Sequence, residues 1–264
     1  MSLPLRLHVQ DYADGGWDGV RGLRVGDRFE TPVRVLKTGY RLLDDELPGG
    51  GWPAAALIEI FSAPQQVADW QLIAPALAHQ LVDTAGAVLM VQPPYEPCGR
   101  FLQHRGVPAQ RLCRVVVEDV LRRLWVCEQA LQCADVSAVL AWLPGVAYPA
   151  LRRLHVAAGK KNVLFWAFRP KSDLSVASPA ALRILAEQRR IEGFHHLELR
   201  ILKRRGPPLD RALILPMADA RLADVLKGRG KIDGGFRFDA HVLPLKQSEA
   251  LPSDFRLPFP RARA

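Results

Sequence analysis

The strongest constraint in this sequence is a regular exchange between two hydrophobic periods. Leu57-Ile-Glu-Ile-Phe61 is a short apolar run with β-branched residues and reads as a strand. Residues 67–83 then place Trp70, Ile73, Leu77 and Leu81 at helical spacing, with Pro75 either kinking that helix or lying near a late start. Ala87-Val-Leu-Met-Val91 is a second strand, ended by Pro93-Pro94, and Cys113-Arg-Val-Val-Val117 is a third. Asp119 suits the N-cap of a helix carrying Leu124, Cys127 and Leu131 on one face. Ala138-Val-Leu-Ala-Trp142 is a fourth strand, and a helix from about Tyr148 to Ala158 carries Leu151, Leu154 and His155. Asn162 to Phe168 is a fifth strand. Ser178-Pro179 opens a further helix, since proline is comfortable at the first helical position. Residues 194–203 alternate, with Phe194 and His196 on one side and Leu197, Leu199 and Ile201 on the other, and Ala212-Leu-Ile-Leu215 closes the series.

Apolar strands that alternate with helices specify an α/β fold, a mainly parallel sheet covered by helices on both faces. The last two strands follow each other without a helix, so an antiparallel edge is expected. The chain has 264 residues, 49% hydrophobic and 24% charged, which supplies a large core and excludes a disordered, collagen-like or coiled-coil chain. Residues 1–30 are Gly- and Asp-rich with weak periodicity, and residues 1–36 read as an amino-terminal arm. Residues 37–220 form the core, and 221–264 a basic, partly flexible carboxy-terminal tail.

Several classes are excluded by pattern. The opening Met1-Ser-Leu-Pro-Leu-Arg-Leu lacks a basic segment followed by an apolar core, so no secretory signal is expected. The longest charge-free apolar stretch, Val136 to Leu151, is broken by Ser137, Pro144 and Gly145 and is too short to span a bilayer. Cys98, Cys113, Cys127 and Cys133 make no C-x-x-C pair, and no C…H spacing follows. They are expected as buried free thiols in a reducing cytoplasm, and no metal site is expected. Of His195 and His196, one ring is expected toward the core and one toward water.

An open α/β sheet offers its phosphate site at the first strand–loop–helix. A working phosphate loop needs glycines to expose backbone N–H groups, a lysine for charge and a Ser or Thr for magnesium. Here Phe61 is followed by Ser62-Ala-Pro-Gln-Gln-Val-Ala-Asp-Trp70, with no Gly, Lys or Thr. Ser62 stands ahead of the proline; Gln65, Gln66 and Ala68 supply no cation, and Asp69 would repel a phosphate at the helix start. Where a later strand should end in a magnesium-holding Asp, Ala141 and Trp142 stand instead. The loop is therefore read as a degenerate P-loop that binds no nucleotide, and no cofactor is expected. Gly49-Gly-Gly51 precedes the first strand and reads as a flexible turn rather than a phosphate cradle. No nucleophile–base pair can be assembled, and Glu118 and Asp119, adjacent on a strand, would face opposite sides. No catalytic residue is assigned, and an enzyme is not expected.

A resemblance adds to this reading. Thr38-Gly-Tyr-Arg-Leu-Leu-Asp44, Leu47-Pro-Gly-Gly-Gly-Trp-Pro53 and Ala56-Leu-Ile-Glu-Ile60 resemble the entry to the RecA-type ATPase core. Asn162 to Arg169 looks like the strand before the second DNA-binding loop of that core. Ser178-Pro-Ala-Ala-Leu-Arg-Ile-Leu185 and Leu197-Glu-Leu-Arg-Ile-Leu-Lys-Arg-Arg-Gly206 look like the helix and strand after it. The triple glycine with Trp-Pro, the lost P-loop lysine and the Leu-Lys-Arg-Arg-Gly strand end resemble the ImuA family, which is related to SulA. Pro93-Pro-Tyr-Glu-Pro97 and Ala141-Trp-Leu143 fit the same pattern, and the resemblance covers roughly residues 37–216.

The resemblance implies a RecA-like fold and a cytoplasmic, non-catalytic adaptor for SOS-induced translesion DNA synthesis. Its implied partners are ImuB and an error-prone replicative-type polymerase subunit, with the RecA filament and DNA as further candidates and no membrane. SulA relatives instead bind FtsZ and block division. Motifs alone do not separate the two; the greater length and the Lys-Arg-Arg strand end favour ImuA.

The charge points the same way. From Arg200 onward there are 14 Lys+Arg against 7 Asp+Glu, which holds most of the chain's net +9. Lys203-Arg204-Arg205 is densest, and Lys227, Arg229 and Lys231 follow in a Gly-rich stretch. Arg169 and Lys171 sit where RecA relatives bring loops to single-stranded DNA. These cations are candidates for DNA or partner contact, with Phe236 and Phe238 flanking Arg237 as candidates for base stacking. A solvated basic face, or one that docks an acidic partner, is the other reading. Asp254-Phe-Arg-Leu-Pro-Phe259 resembles the peptide by which bacterial proteins dock on the sliding clamp, with Leu257 and Phe259 as anchors and Asp254 in place of the usual Gln. An ordinary unstructured tail is the alternative there.

Overall fold

The computed structural model describes residues 34–63, 68–161 and 163–217. Among them lies an eight-stranded sheet made of β3 (Leu57–Ser62), β4 (Ala87–Val91), β5 (Leu112–Val115), β6 (Val136–Trp142), β7 (Leu164–Pro170), β8 (Leu182–Ile191), β9 (Phe194–Lys203) and β10 (Leu213–Pro216). The order across the sheet is β10-β9-β8-β3-β7-β6-β4-β5. Strand β9 runs antiparallel to both its neighbours, and the other pairings are parallel. The antiparallel pairing expected at one edge is present, with the reversed strand second from that edge. A separate two-stranded antiparallel sheet joins β1 (Val35–Leu36) to β2 (Trp52–Pro53).

The helices divide between the two faces because the central strands are apolar on both. On one face Ile58, Ile60 and Trp166 pack with Trp70, Ile73 and Leu77 of α2 (Ala68–Asp83) and with Leu43 of the single-turn α1 (Arg41–Asp44). On the other, Leu57, Val139 and Phe165 meet Cys127 and Leu131 of α4 (Val120–Gln132) and Leu151 and Leu154 of α5 (Tyr148–Lys161). A short helix α3 (Gly99–His104) adds Leu102 to the α2 side. Asp119 caps α4 as expected, its carboxylate accepting the Arg122 N–H at 2.7 Å. His155 of α5 does structural work, since its Nδ1 accepts the Leu57 N–H at 3.1 Å where β3 begins. Burial, then the nearby Lys203 charge, holds the His155 pKa below its ordinary value and so favours the neutral acceptor form.

Pro75 lies inside α2, not near its start. It removes the N–H that would bond the carbonyl of Gln71, four residues back. The Tyr40 hydroxyl donates to that same carbonyl at 2.6 Å. Gly39 makes room for the proline ring, for a Cβ on Gly39 would stand 2.3 Å from Pro75 Cβ, and its φ of +85° suits glycine.

Four expectations need correction. Residues 178–185 do not open a helix: Leu182–Ile191 is β8, which pairs parallel with β3 and antiparallel with β9. Buried Leu182, Ile184 and Ala186 alternate with more exposed Arg183, Leu185 and Glu187, which is period two, and a two-residue turn with Glu192 and Gly193 both at positive φ joins β8 to β9. The third strand stops at Val115, so Glu118 and Asp119 lie beyond it. Only Cys127 of the four thiols is buried; Cys98 is exposed and Cys113 and Cys133 are half-buried. Gly49-Gly-Gly51 is a packed turn, not a loose one, since a Cβ on Gly51 would meet the Leu36 carbonyl oxygen at 2.3 Å. His195 is exposed and His196 half-buried, its ring Nδ1 3.1 Å from the Phe194 carbonyl. No helix among the described residues is long and apolar enough to cross a membrane.

Candidate binding cleft at the strand ends

Strands β3, β4, β6 and β7 end together, and a cleft of about 400 Å³ opens at their carboxyl ends. That is where open α/β sheets hold ligands. Ser62 ends β3, Gln92 follows β4, Trp142 ends β6 and Phe168 lies near the end of β7; all four line the cleft. The paired register of β6 and β7 sets Trp142 beside Phe168, with ring centroids 4.6 Å apart and planes 24° from parallel. Gln92 has a φ of +54°, unusual for a side chain larger than glycine, and its side-chain oxygen accepts the Val117 N–H at 2.7 Å.

Asp69 enters this cleft from the first turn of α2. It is buried, 4% exposed. Burial raises its pKa from 3.8 to about 7, while the Ser62 hydroxyl and the Trp142 indole pull it back in part. The indole approaches without completing a hydrogen bond: among the described residues, neither Asp69 Oδ1 nor Trp142 Nε1 has a partner. Tyr95 stands close enough for the Asp69 charge to add to burial in raising its phenol to about 12. Arg123 of α4 also lines the cleft, but its guanidinium is turned to backbone carbonyls, Val117 at 3.1 and 3.2 Å and Glu118 at 3.1 Å.

Beside the cleft lies a second buried charge cluster. Glu59 of β3 accepts from Arg169 at 2.6 Å and from Arg183 at 2.8 Å. Arg169 also meets Asp173 at 2.9 Å and the Val146 carbonyl at 2.9 Å. Asp173 in turn accepts the Gly145 N–H at 2.7 Å. Both guanidiniums lie over the Phe61 ring, at 4.8 Å for Arg183 and 6.0 Å for Arg169.

This cluster corrects the reading of Arg169. Its side chain has no exposed surface and each of its three guanidinium nitrogens is hydrogen-bonded inside the protein, so it is part of the core and presents nothing to DNA. The remaining basic candidates are separated. Lys171 pairs with Glu187 of β8. Lys203 is exposed and donates to the Ser178 carbonyl at 3.1 Å. Arg204 is folded back on Glu46 and on the Pro207 carbonyl, with its side chain 11% exposed. Hydrogen bonds from Arg211, then Arg204, hold the Glu46 pKa below its ordinary range. Arg205 is exposed. Gln65 and Gln66 lie outside the described residues, as do Lys227, Arg229, Lys231, Phe236, Phe238, Leu257 and Phe259. Ala68 opens α2. Sequence reasoning gave Tyr95, Gln92 and Arg123 no role; the positive φ and the carbonyl-capping guanidinium carry no local signature that could have revealed them.

No protein-family model matches the chain. Curated proteins do. The chain is 28% identical over 109 residues to the cell division inhibitor SulA of Edwardsiella piscicida, covering 41% of this chain and 65% of that protein. It is 28% identical over 117 residues to the cell division inhibitor SulA of Serratia marcescens, covering 44% of this chain and 69% of that one. It is 33% identical over 138 residues to protein ImuA of Caulobacter vibrioides, covering 50% of this chain and 56% of that protein. The matches thus span less than two thirds of the Edwardsiella SulA and of the Caulobacter ImuA.

Proposed function

We propose that this ImuA- and SulA-like chain is a non-catalytic accessory protein of the SOS response, serving error-prone translesion DNA synthesis. The observation that carries the reading is the 33% identity to ImuA over half the chain. The cleft agrees with it. In a RecA-like core the end of β3 and the start of α2 would hold phosphate, and here they present Ser62 and a buried carboxyl with no lysine. The central β3, with parallel strands on both sides, supports the RecA-like reading, and the sequence of the loop supports its degeneracy. On this reading the protein works in the cytoplasm through ImuB and an error-prone polymerase subunit, with the RecA filament as a further partner. Lys203 and Arg205, on the surface at the end of β9, are the described cations that remain candidates for DNA or acidic-partner contact, with Lys171 half-engaged by Glu187. The arm up to residue 36 and the basic tail from 221 are further candidates for partner contact; Val35 and Leu36 already pair with β2.

The test is damage-induced mutation frequency in the source bacterium, with the gene deleted and then restored. Loss on deletion with recovery on restoration is expected; an unchanged frequency would sink the reading. A second reading has its own support, because the matches cover more of the two SulA proteins than of ImuA. A division inhibitor binding FtsZ would make cells filament on overexpression and suppress FtsZ polymerisation in vitro.

A further inference from the structure

Strand β5 closes one side of the large sheet. Strand β4 pairs with one of its edges, and among the described residues no strand pairs with the other. An open edge presents unmatched N–H and C=O groups and is a template for another strand. The chain here, Leu112-Cys-Arg-Val-Val-Val117, is rich in β-branched residues. The direction of its backbone groups follows from two contacts. The Val115 carbonyl accepts the Gln92 N–H at 2.8 Å, and the Val117 N–H donates to the Gln92 side chain at 2.7 Å. Both residues therefore turn toward β4. Backbone groups alternate along an extended chain, so those of Arg114 and Val116 turn outward.

The side chains alternate too, and they do so past the end of β5 at Val115. Cys113, Val115 and Val117 are half-buried, whereas Arg114, Val116 and Glu118 are exposed. Val116 shows 55% of its surface to solvent, between a cation and an anion that each lie two residues away. Charges on a strand edge ordinarily keep other strands off. Here their order admits a second copy, because a two-fold axis through Val116 sets Arg114 of each chain against Glu118 of the other. An axis through Arg114 would oppose like charges. An axis through Val115 would set Arg114 against Val116 and Glu118 against Leu112. Glu96 takes Arg114 Nη1 at 2.9 Å, and the guanidinium keeps further donors for a second carboxylate.

We propose that two copies of this chain associate antiparallel along β5, with Val116 on the two-fold axis. The outward N–H and C=O of Val116 are exchanged between the copies, and Arg114 meets Glu118 twice, once on each side of the axis. Two eight-stranded sheets then run on as one. The inference stands on the sheet edge alone and is independent of the accessory-protein reading.

The test is sedimentation of the full chain over the micromolar range, where an interface this small is expected to hold a reversible dimer. Arg114→Glu and Glu118→Arg each set like charges opposite one another twice, and each is expected to weaken the dimer by at least about tenfold. Mixing the two variants restores both opposite-sign pairs. The mixture is expected to form a heterodimer at least about tenfold tighter than either variant forms with itself. A purely structural role of either residue gives no such rescue. Circular dichroism melts check that the variants fold. Should either fail, Val116→Asp, which places two carboxylates on the axis, is expected to abolish the dimer in its place. A native chain that is monomeric throughout the range, a dimer that survives these substitutions, or a mixture no tighter than its components would overturn the proposal.

Discussion

Two buried acidic sites lie side by side at the strand ends and are treated in opposite ways. Glu59 is met by two guanidiniums, and Asp173 by one guanidinium and a backbone N–H. Asp69 has two approaching groups and, among the described residues, one oxygen without a hydrogen-bond partner. The first site ties β3 to β7 and β8, and to the loop after β7. The second is only approached by Ser62 and Trp142, and titrates near neutrality instead. Burial alone therefore does not decide what a carboxylate does; the completeness of its partners does. A complete shell makes a strut, and an incomplete one leaves a carboxyl that holds its proton up to about pH 7.

The largest effect should come from the complete shell. Arg169→Met removes the shared cation and leaves Glu59 and Asp173 facing the core with part of their charge uncompensated. Removing one partner of a buried pair costs about 3–5 kcal/mol, to be read from urea unfolding. A loss below about 1 kcal/mol would show that the cluster is not the strut described here.

The open shell should give a smaller effect of the other sign. Asp69→Leu is expected to stabilise the protein by about 1–3 kcal/mol at pH 8, by removing an unmatched buried oxygen. The sign with pH follows from the pKa, which is about 7 folded against 3.8 for the free side chain. The folded state holds the extra proton, so the native chain loses stability as pH rises from about 4 to 7 and is level above that. The gap between variant and native chain should therefore widen over that window in parallel unfolding series. A constant gap would refute the assignment. The smallest effect belongs to exposed charge. Arg200, which meets Glu198 at 3.1 Å and is 56% exposed, should change stability by less than about 1 kcal/mol on replacement by alanine.

Much of the fold was legible because its signals are local. The apolar runs Leu57–Phe61 and Ala87–Val91 became β3 and β4, and the Asp119 cap needs only its own helix. Strand β8 was misread because Ser178-Pro179 is a sound helix start, and what overrules it is distant: the β3 edge, whose Ile58 and Ile60 align with Leu182 and Ile184. The same limit applies to the cleft. That the loop had lost its phosphate chemistry could be read from residue types. That Asp69 is buried beside Trp142, or that Arg169 is locked by Glu59, 110 positions earlier, depends on the strand order. Basic residues were the least legible, since a cation in a sequence looks the same whether it faces water or the core.

The Tyr40–Pro75 contact constrains the history of this chain as well as its shape. Pro75 without Tyr40 would leave the half-buried Gln71 carbonyl without either partner, whereas Tyr40 with an ordinary residue at 75 leaves none unpaired. The tyrosine and the small residue at 39 can therefore arise first at little cost, and the proline only afterwards. Once both are present, the proline can still be lost but the tyrosine cannot go before it. A substitution at residue 40 that looks mild in a relative with a different residue at 75 would be harmful here, and the two changes must be made and unmade in a fixed order.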